Sequence, residues 1–303
     1  MVKPIAITGA NGFLGRHCVS KAVEQGLSVN GVVRRAEAAQ VVEAHGGSPI
    51  IVQNFQVDRL VDAFTGCQGV LHLVGIVNER YSSFQEVNVQ GTRAVLKSAF
   101  RSGIQYFVTP SGLGVDQYGH KAWATNGYFL AKRQIESMCR NQPIPFVIFR
   151  PSYILGPGDE LIPFLVHDIL QGKVLVAGQG DRPMQPIYVQ DAATAFISAV
   201  TGQGSQNQIY DLVGPETITF TQLIKRVAAM METEGYDLPE FSIKYLPIHD
   251  ASDIMDIAQE EIDVMLSDAI GDPSSLRRDF MLSLTPLDTA IQAAVRAESR
   301  GLR

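Results

Sequence analysis

The chain has 303 residues, and its 31 acidic and 25 basic side chains give a formal net charge of −6. Because the net charge is negative and the sequence has no long run of lysine or arginine, we do not expect the basic surface that nucleic-acid binding usually requires. A hydrophobic content of 46% predicts a sizeable core, and the length predicts about two domains.

Three cysteines, Cys18, Cys67 and Cys139, lie far apart in apolar surroundings. This pattern is typical of reduced core thiols rather than of a disulfide set or a metal cluster, so we expect no metal site. The N-terminal apolar stretch is too short for a signal peptide, and no apolar run reaches the about 18 residues that would span a membrane. We therefore expect a cytoplasmic location.

The first fifteen residues predict an apolar strand followed by a glycine-rich turn and a helix. Gly9, Gly12 and Gly15 stand in a G-x-x-G-x-x-G pattern, one residue wider in its first gap than the usual dinucleotide fingerprint. The glycines permit a tight turn, close approach of a pyrophosphate and close helix packing. A plain glycine-rich turn is the alternative, but the strand before and the amphipathic helix after favour a dinucleotide site. Its candidate residues are Thr8, Gly9, Asn11, Gly12, Phe13, Leu14, Gly15 and Arg16.

The second predicted strand, 27–33, ends at Arg34 and Arg35. A carboxylate at this place, roughly 20 residues past the glycines, binds the ribose of NAD, whereas arginine suits the 2′-phosphate of NADP. The two arginines favour NADP(H) over NAD. They could instead simply solvate the end of a strand.

The third and fourth predicted strands also end in candidate cofactor contacts. The third, 50–52, leads to Asn54 and Phe55, where the adenine edge would lie. The fourth, 70–74, ends at Gly75, which either lets the backbone pass close to the cofactor or marks a bend. We include Leu73, Val74 and Gly75 among the candidates.

The rest of the chain continues the alternation of strands and helices. A helix is predicted between Tyr81 and Ser102, strands over 106–109 and 146–149, and a helix capped by Asn126 between them. This rhythm predicts an α/β fold, a Rossmann-type doubly wound parallel sheet. Beyond it we expect a strand and a helix capped by Asp191, and from residue 214 a smaller domain with one strand. The predicted domains are 1–150 with 184–213 for the dinucleotide, and 151–183 with 214–303 for the substrate or lid.

Tyr128 and Lys132 stand four residues apart and therefore share one helix face. An ammonium group near a phenol stabilises the phenolate and lowers its pKa toward working pH, so that the tyrosine can act as a general acid or base. Ser111, just past a strand end, could hold a substrate carbonyl beside it. Each has a plain alternative, since Y-x-x-x-K occurs by chance and a serine often caps a helix. The order of the whole set favours catalysis.

On these residues the chain resembles the short-chain dehydrogenase/reductase superfamily, in its extended or atypical form. The pieces that carry the resemblance are 8–15, 87–92, Ser111, 128–132 and 150–158. It is most similar to the epimerase/dehydratase-like subgroup that includes the NADPH-binding accessory subunit of respiratory complex I, through 72–75, 111–114 and 185–191.

The resemblance implies a role for each motif. Tyr128 would be the proton donor or acceptor, Lys132 its pKa partner and a ribose ligand, and Ser111 the group that polarises the substrate. Asn88 would belong to the active-site helix, and Pro151, Ser152 and Tyr153 would adjoin the nicotinamide. The chain departs from the pattern at Asn54, where many relatives have aspartate, and in its short interval between Ser111 and Tyr128.

Three functions remain open from the sequence. The first is an NADP(H)-dependent oxidoreductase that acts on a small carbonyl or hydroxyl substrate. The second is a non-catalytic NADPH-binding structural or assembly factor, peripherally associated with a membrane redox complex. The third and weakest is a nucleotide-sugar epimerase; a dehydratase is disfavoured because Gly112 and Leu113 stand where an Asp-Glu pair would be needed. A monomer and a homodimer are both compatible with the sequence.

Overall fold

A computed structural model describes residues 3–301, with a seven-stranded sheet at the centre. The strands are β1 (Ile5–Thr8), β2 (Val29–Val33), β3 (Ser48–Ile51), β4 (Gly69–His72), β5 (Tyr106–Pro110), β6 (Phe146–Pro151), β7 (Ile154–Leu155), β8 (Lys173–Ala177), β9 (Pro183–Met184), β10 (Ile187–Tyr188), β11 (Gln208–Leu212), β12 (Ile218–Thr219) and β13 (Ser242–Leu246). The helices are α1 (Phe13–Glu24), α2 (Ala36–Ala44), α3 (Val57–Phe64), α4 (Gly91–Arg101), α5 (Gly127–Arg140), α6 (Leu161–Leu170), α7 (Val189–Val200), α8 (Phe220–Thr233), α9 (Ile248–Met255), α10 (Gln259–Met265), α11 (Ser274–Phe280) and α12 (Leu287–Gly301). A π-helix (Gln85–Gln90) runs directly into α4.

The main sheet has the order β3-β2-β1-β4-β5-β6-β11, and every neighbouring pair is parallel. One buried cluster on the sheet includes side chains of α1 and α7, and another includes side chains of α3, α4 and α5. All residues of β1 and β4 are buried, as expected of strands covered on both faces. The predicted doubly wound α/β fold is confirmed.

The strands β1, β2 and β3 follow one another toward one edge of the sheet, and β4 then starts the other half on the opposite side of β1. Open parallel sheets bind their ligands outside the carboxyl ends of the strands at such a point. β4 ends at His72 rather than at the predicted Val74. The pairing stops there because the partner strand turns away at Gly9, whose φ of +72° starts the glycine-rich turn.

Two predicted helices differ from the structure. The helix expected between Tyr81 and Ser102 begins only at Gln85, and its first six residues are a π-helix. The helix expected to be capped by Asp191 has no side-chain cap. Asp191 instead accepts hydrogen bonds from the backbone nitrogen and the hydroxyl of Thr285, at 2.6 and 2.9 Å. That partner lies 94 residues away in sequence, so local spacing could not indicate it.

A separate hydrophobic cluster forms where α6, α8 and α12 pack together beside β8. In this part β13 pairs with β8 in parallel. The segment after residue 214 contains two strands, β12 and β13, rather than the one predicted. The division of the chain at the predicted domain boundaries stays a prediction.

Asn126 caps α5 as predicted, because its Oδ1 accepts a hydrogen bond from Phe129 N. The three cysteines are free and buried. Among residues 3–301, no helix combines the length and the apolar character required to cross a membrane.

Candidate active site

The glycine-rich turn after β1 is tightly packed, most of all at Gly15 and less at Gly12. A Cβ at Gly15 would overlap Gly9 O and lie 2.9 Å from two backbone atoms of Ala10. A Cβ at Gly12 would approach only Gly9 O, at 3.3 Å. Gly12 is also the N-cap of α1 and supplies no side-chain cap, so the first N–H groups of the helix are free for an anion. The turn therefore fits a pyrophosphate, with Asn11 exposed beside it.

The predicted residues of α1 take different positions around this turn. Phe13, Leu14 and Arg16 are half-buried in its first turn. The Arg16 guanidinium donates a hydrogen bond to Gly158 O at 2.8 Å and lies 5.8 Å from the centre of the Phe13 ring. Arg16 thus joins the start of α1 to the 156–158 turn.

Thr8, also predicted to bind the cofactor, is buried and directs its hydroxyl to a histidine instead. Thr8 Oγ1 lies 2.7 Å from His72 Nδ1, and His72 Nε2 lies 3.0 Å from Thr92 Oγ1. Thr92 donates its only hydroxyl proton to Asn88 O at 2.6 Å, so it must accept from His72 Nε2–H. Burial, and secondarily the charge of Lys132, lowers the pKa of His72 to about 3. His72 is therefore neutral with its proton on Nε2, and it accepts from Thr8.

The ends of β1 and β4 meet beside the glycine turn. A Cβ at Gly9 would lie 3.1 Å from Leu73 C and Val74 N, so the two backbones are in contact. Gly75 is exposed, and a Cβ there would lie 3.5 Å from Asn88 Oδ1 and 3.7 Å from Lys132 Nζ. The structure thus brings the glycine turn against the end of β4, and Gly75 close to Asn88 and Lys132.

Arg34 and Arg35 are exposed at the carboxyl end of β2, and neither forms an ion pair within residues 3–301. Arg35 is the N-cap of α2 without a side-chain cap bond. Asn54 is exposed and, with Phe55, adopts a left-handed conformation, with φ of +50° and +51°. The Phe55 ring contacts Gly91 of α4, since a Cβ there would lie 2.7 Å from it.

Tyr128 and Lys132 lie on one face of α5, as their spacing predicts. Lys132 is buried, its Nζ donates to Pro110 O at 3.3 Å, and it lies 5.8 Å from the centre of the Tyr128 ring. Burial raises the pKa of Tyr128 to about 12. It lowers the pKa of Lys132 to about 8, although the charge of Glu136 opposes that shift. The expected lowering of the tyrosine pKa is not found, because loss of hydration at the phenol dominates.

Ser111 follows β5 and is 2% exposed. Its Oγ is buried and finds no hydrogen-bond partner within residues 3–301. The next residue, Gly112, lies directly against the phenol, since a Cβ there would come 3.0 Å from Tyr128 Oη. A buried hydroxyl without a protein partner, one residue from a glycine that contacts a phenol, is compatible with a site that binds a polar ligand.

Asn88 and Ser152 use their side chains to hold backbone. Asn88 accepts from Ile76 N at 2.8 Å and donates to Ile76 O at 3.0 Å. Ser152 Oγ donates to Ala269 O at 2.8 Å and accepts from Gln185 N at 3.2 Å. Pro151 and Tyr153 line a cavity of about 110 Å³ together with Tyr128.

Sequence reasoning missed three parts of this region. His72 was placed in a strand without a role, and the segment that contributes Val264, Ser267 and Ala269 to the cavity gave no signal at all. Glu136 lies one turn beyond Lys132, and its carboxylate is bound by Arg150. Its spacing of four residues from Lys132 could have indicated it.

The sequence profile described as the NAD dependent epimerase/dehydratase family matches residues 5–212, about two thirds of the chain. The chain belongs to this family. The predicted relationship to extended short-chain dehydrogenases/reductases is thereby confirmed. The family and the similar proteins are NAD(P)-dependent reductases and epimerases, which is consistent with the predicted oxidoreductase-like or epimerase-like enzyme.

Curated relatives extend the comparison. The chain is 27% identical over 246 residues to the 4-hydroxy-2-methyl-3-oxo-4-farnesyl-3,4-dihydroquinoline-1-oxide ketoreductase of Stigmatella aurantiaca, a match that covers 76% of this chain and 72% of the relative. It is 26% identical to the mitochondrial NADH dehydrogenase (ubiquinone) 1 alpha subcomplex subunit 9 of Arabidopsis thaliana. That match covers 72% of this chain but 55% of the plant protein.

Among solved structures, the UDP-glucose 4-epimerase of Thermotoga maritima superposes with a TM-score of 0.79. The alignment covers 99% of this chain and 100% of the epimerase at 19% identity. At that identity the likeness establishes the fold alone.

Proposed function

We propose that the chain is an NADP(H)-dependent oxidoreductase that interconverts a carbonyl and a hydroxyl group on a small substrate. The observation that carries the proposal is the unpartnered, buried Ser111 Oγ, one residue before Gly112, which lies against the Tyr128 phenol. Leaving a buried hydroxyl unpaired costs about 1–3 kcal/mol, which a hydrogen bond to a substrate oxygen would offset. Both groups would then act on that same oxygen.

Tyr128 supplies the proton in the direction of reduction. Because burial raises the pKa of Tyr128 to about 12, its phenol carries a proton at neutral pH. When bound, the nicotinamide provides or accepts the hydride. Tyr128 gives its proton to the carbonyl oxygen, so that the carbonyl gains one hydride and one proton and becomes an alcohol.

Lys132 would stabilise the phenolate that remains. Its pKa of about 8 leaves it mostly protonated at neutral pH. Its Nζ uses one of its donors on Pro110 O, which leaves others for a ribose hydroxyl or the phenolate. Its proximity to Gly75, a predicted cofactor contact, supports this role for Lys132.

Preference for NADP(H) is supported by charge at the end of β2. Arg34 and Arg35 are exposed, without acidic partners in the described residues, and stand directly before the uncapped N-terminus of α2. Guanidinium groups and free helix N–H groups both favour a 2′-phosphate.

The test is turnover of a panel of ketones, quinones and nucleotide sugars with NADPH. We expect reduction of at least one ketone by the wild type, and a loss of about 10²- to 10⁴-fold in kcat for Tyr128→Phe with NADPH affinity unchanged. If Tyr128→Phe reduced the ketone at the wild-type rate, Tyr128 would not be the proton donor.

A second candidate is supported by the likeness to the plant respiratory subunit. In this second candidate function, the protein binds NADPH without catalysing a reaction. It acts as a structural or assembly factor that docks on a membrane redox complex. Absence of turnover across the whole panel, together with co-purification with such a complex, would favour this candidate.

A further inference from the structure

The cavity beside Tyr128 has a wall without charge. Its volume is about 110 Å³, and it is lined by Leu113, Phe129, Pro151, Tyr153 and Val264, with smaller residues between them. No lysine, arginine, aspartate or glutamate of the described chain lines it. Lys132 does not line the cavity, since its Nζ donates to Pro110 O and lies 5.8 Å from the centre of the Tyr128 ring.

The polar groups of the wall are few, and some are already occupied. Ser152 Oγ is bound to Ala269 O and Gln185 N, and Ser267 Oγ donates to Val264 O at 2.7 Å. The phenols of Tyr128 and Tyr153 remain to meet a ligand, and burial raises the pKa of both, so both are neutral. With Ser111 nearby, the cavity can satisfy a neutral oxygen but provides no counter-ion.

We propose that this cavity takes the reacting end of an uncharged ketone whose carbonyl carries apolar groups. The proposal rests on the proposed function and names its substrate class. A carboxylate or a diphosphate in this cavity would lose its hydration without gaining a cationic partner, which is strongly unfavourable. An aliphatic or aromatic group gains from leaving water against the same wall. Substrates that carry a carboxylate or a phosphate directly beside the reacting carbonyl, such as 2-oxo acids, are therefore disfavoured.

One side of the cavity belongs to the end of α10 and the residues that follow it. Val264 lies in α10, and Ser267 and Ala269 lie just after it. Asn126 Nδ2 ties this segment to the start of α5 by a hydrogen bond to Asp263 Oδ2 at 2.9 Å. The cavity is smaller than the about 300–1,000 Å³ typical of ligand pockets. It therefore encloses only the carbonyl and its immediate substituents, and a longer apolar tail would extend past this segment.

The first experiment compares two substrates with the NADPH-loaded wild type. They are an alkyl methyl ketone and the 2-oxo acid in which a carboxylate replaces its methyl group. We expect kcat/KM for the uncharged ketone to exceed that for the carboxylated one by at least about tenfold. Equal or better reduction of the carboxylated ketone would overturn the substrate class while leaving the oxidoreductase function intact.

The second experiment measures binding and needs no turnover. The alcohols that correspond to the two ketones are titrated into the NADPH-loaded protein by calorimetry. Tighter binding of the uncharged alcohol supports the substrate class even where no ketone is reduced, in which case only the proposed function fails. Tighter binding of the carboxylated alcohol contradicts it.

Variants of the wall test the cause. Val264→Arg places a cation in the cavity, and we expect it to lower kcat/KM for the uncharged ketone by at least about tenfold and to raise it for the carboxylated one. If Val264→Arg does not fold, Val264→Thr replaces it in the test. Threonine is nearly equal to valine in shape, and we expect its hydroxyl to weaken binding of the uncharged alcohol a few-fold. Ile254→Arg, at an exposed position on α9, is the matched control and should change neither. No shift in preference with either Val264 variant would contradict the assigned wall.

Discussion

The carboxylate of Glu136 is bound at both oxygens by the guanidinium of Arg150, with Nε–Oε1 and Nη2–Oε2 distances of 2.8 and 2.9 Å. The Glu136 side chain is 2% exposed, and that of Arg150 is 16% exposed. This pair joins α5, one turn beyond Lys132, to the end of β6. It therefore fixes the helix that carries Tyr128 and Lys132 against the sheet.

Breaking this pair should destabilise the fold strongly. Among the described residues, Arg150→Met leaves the buried Glu136 carboxylate with the half-exposed Arg140 as its ion-pair partner. We expect the free energy of unfolding to fall by about 3 kcal/mol or more, measured by urea denaturation. Arg101→Met, which removes an exposed pair with Asp58, should cost less than about 1 kcal/mol. Equal effects of the two variants would show that burial of Glu136 is not the cause.

His72 should make the protein sensitive to acid. The unfolded chain binds a proton near pH 6.5, whereas burial holds the pKa of His72 at about 3 in the folded state. The unfolded state thus binds more protons between these values, and stability falls as pH decreases through this window. His72→Gln should reduce the slope of unfolding free energy against pH there. His249→Gln, at a side chain that is 82% exposed, should leave the slope unchanged.

The tautomer of His72 gives an independent readout. The hydrogen bonds of Thr92 place the proton on Nε2. Nitrogen-15 NMR of the imidazole should report a protonated Nε2 and an unprotonated Nδ1 at neutral pH. Protonation at Nδ1 would contradict the assigned direction of the Thr8–His72–Thr92 chain.

Gly15 should not tolerate a methyl group. The Cβ of Gly15→Ala would overlap Gly9 O, and a backbone carbonyl cannot move aside cheaply. We expect a loss of about 1–3 kcal/mol in unfolding free energy and weaker NADPH binding, measured by urea denaturation and fluorescence titration. Gly75→Ala, whose Cβ would keep 3.5 Å from its nearest neighbour, is the control for stability. Equal stability of both variants would disprove the close packing at the turn.

Cofactor preference should depend on the end of β2. We expect the wild type to bind NADPH about ten- to a hundredfold more tightly than NADH, because each hydrogen bond to a charged group contributes about 1.5–3 kcal/mol. The Arg34→Ala, Arg35→Ala double variant should lose most of this preference. The Arg93→Ala, Lys97→Ala double variant, on the exposed side of α4, should keep it. A wild type that prefers NADH would contradict the assignment.

The sequence predicted the fold well because its alternation of buried strands and amphipathic helices is local. The glycine turn, the shared helix face of Tyr128 and Lys132, and the position of Ser111 at a strand end were predictable for the same reason, while their roles in a site stay predictions. Contacts across long intervals were not predictable. Asp191 was misassigned as a cap because its partner Thr285 is remote, and Val264 reaches the cavity only through tertiary packing. The pKa of Tyr128 was expected to fall because the sequence shows the nearby lysine but not the burial.

Transfer of hydride with a proton from Tyr128 is tested most directly by isotope tracing. NADPH that carries deuterium at the transferable position of its nicotinamide is mixed with the wild type and an uncharged alkyl ketone, and the alcohol formed is analysed by mass spectrometry. The account predicts one deuterium on the carbinol carbon with the wild type, and formation of the same product slowed about 10²- to 10⁴-fold with Tyr128→Phe. Alcohol without deuterium, or labelled alcohol formed equally fast by both proteins, would contradict it.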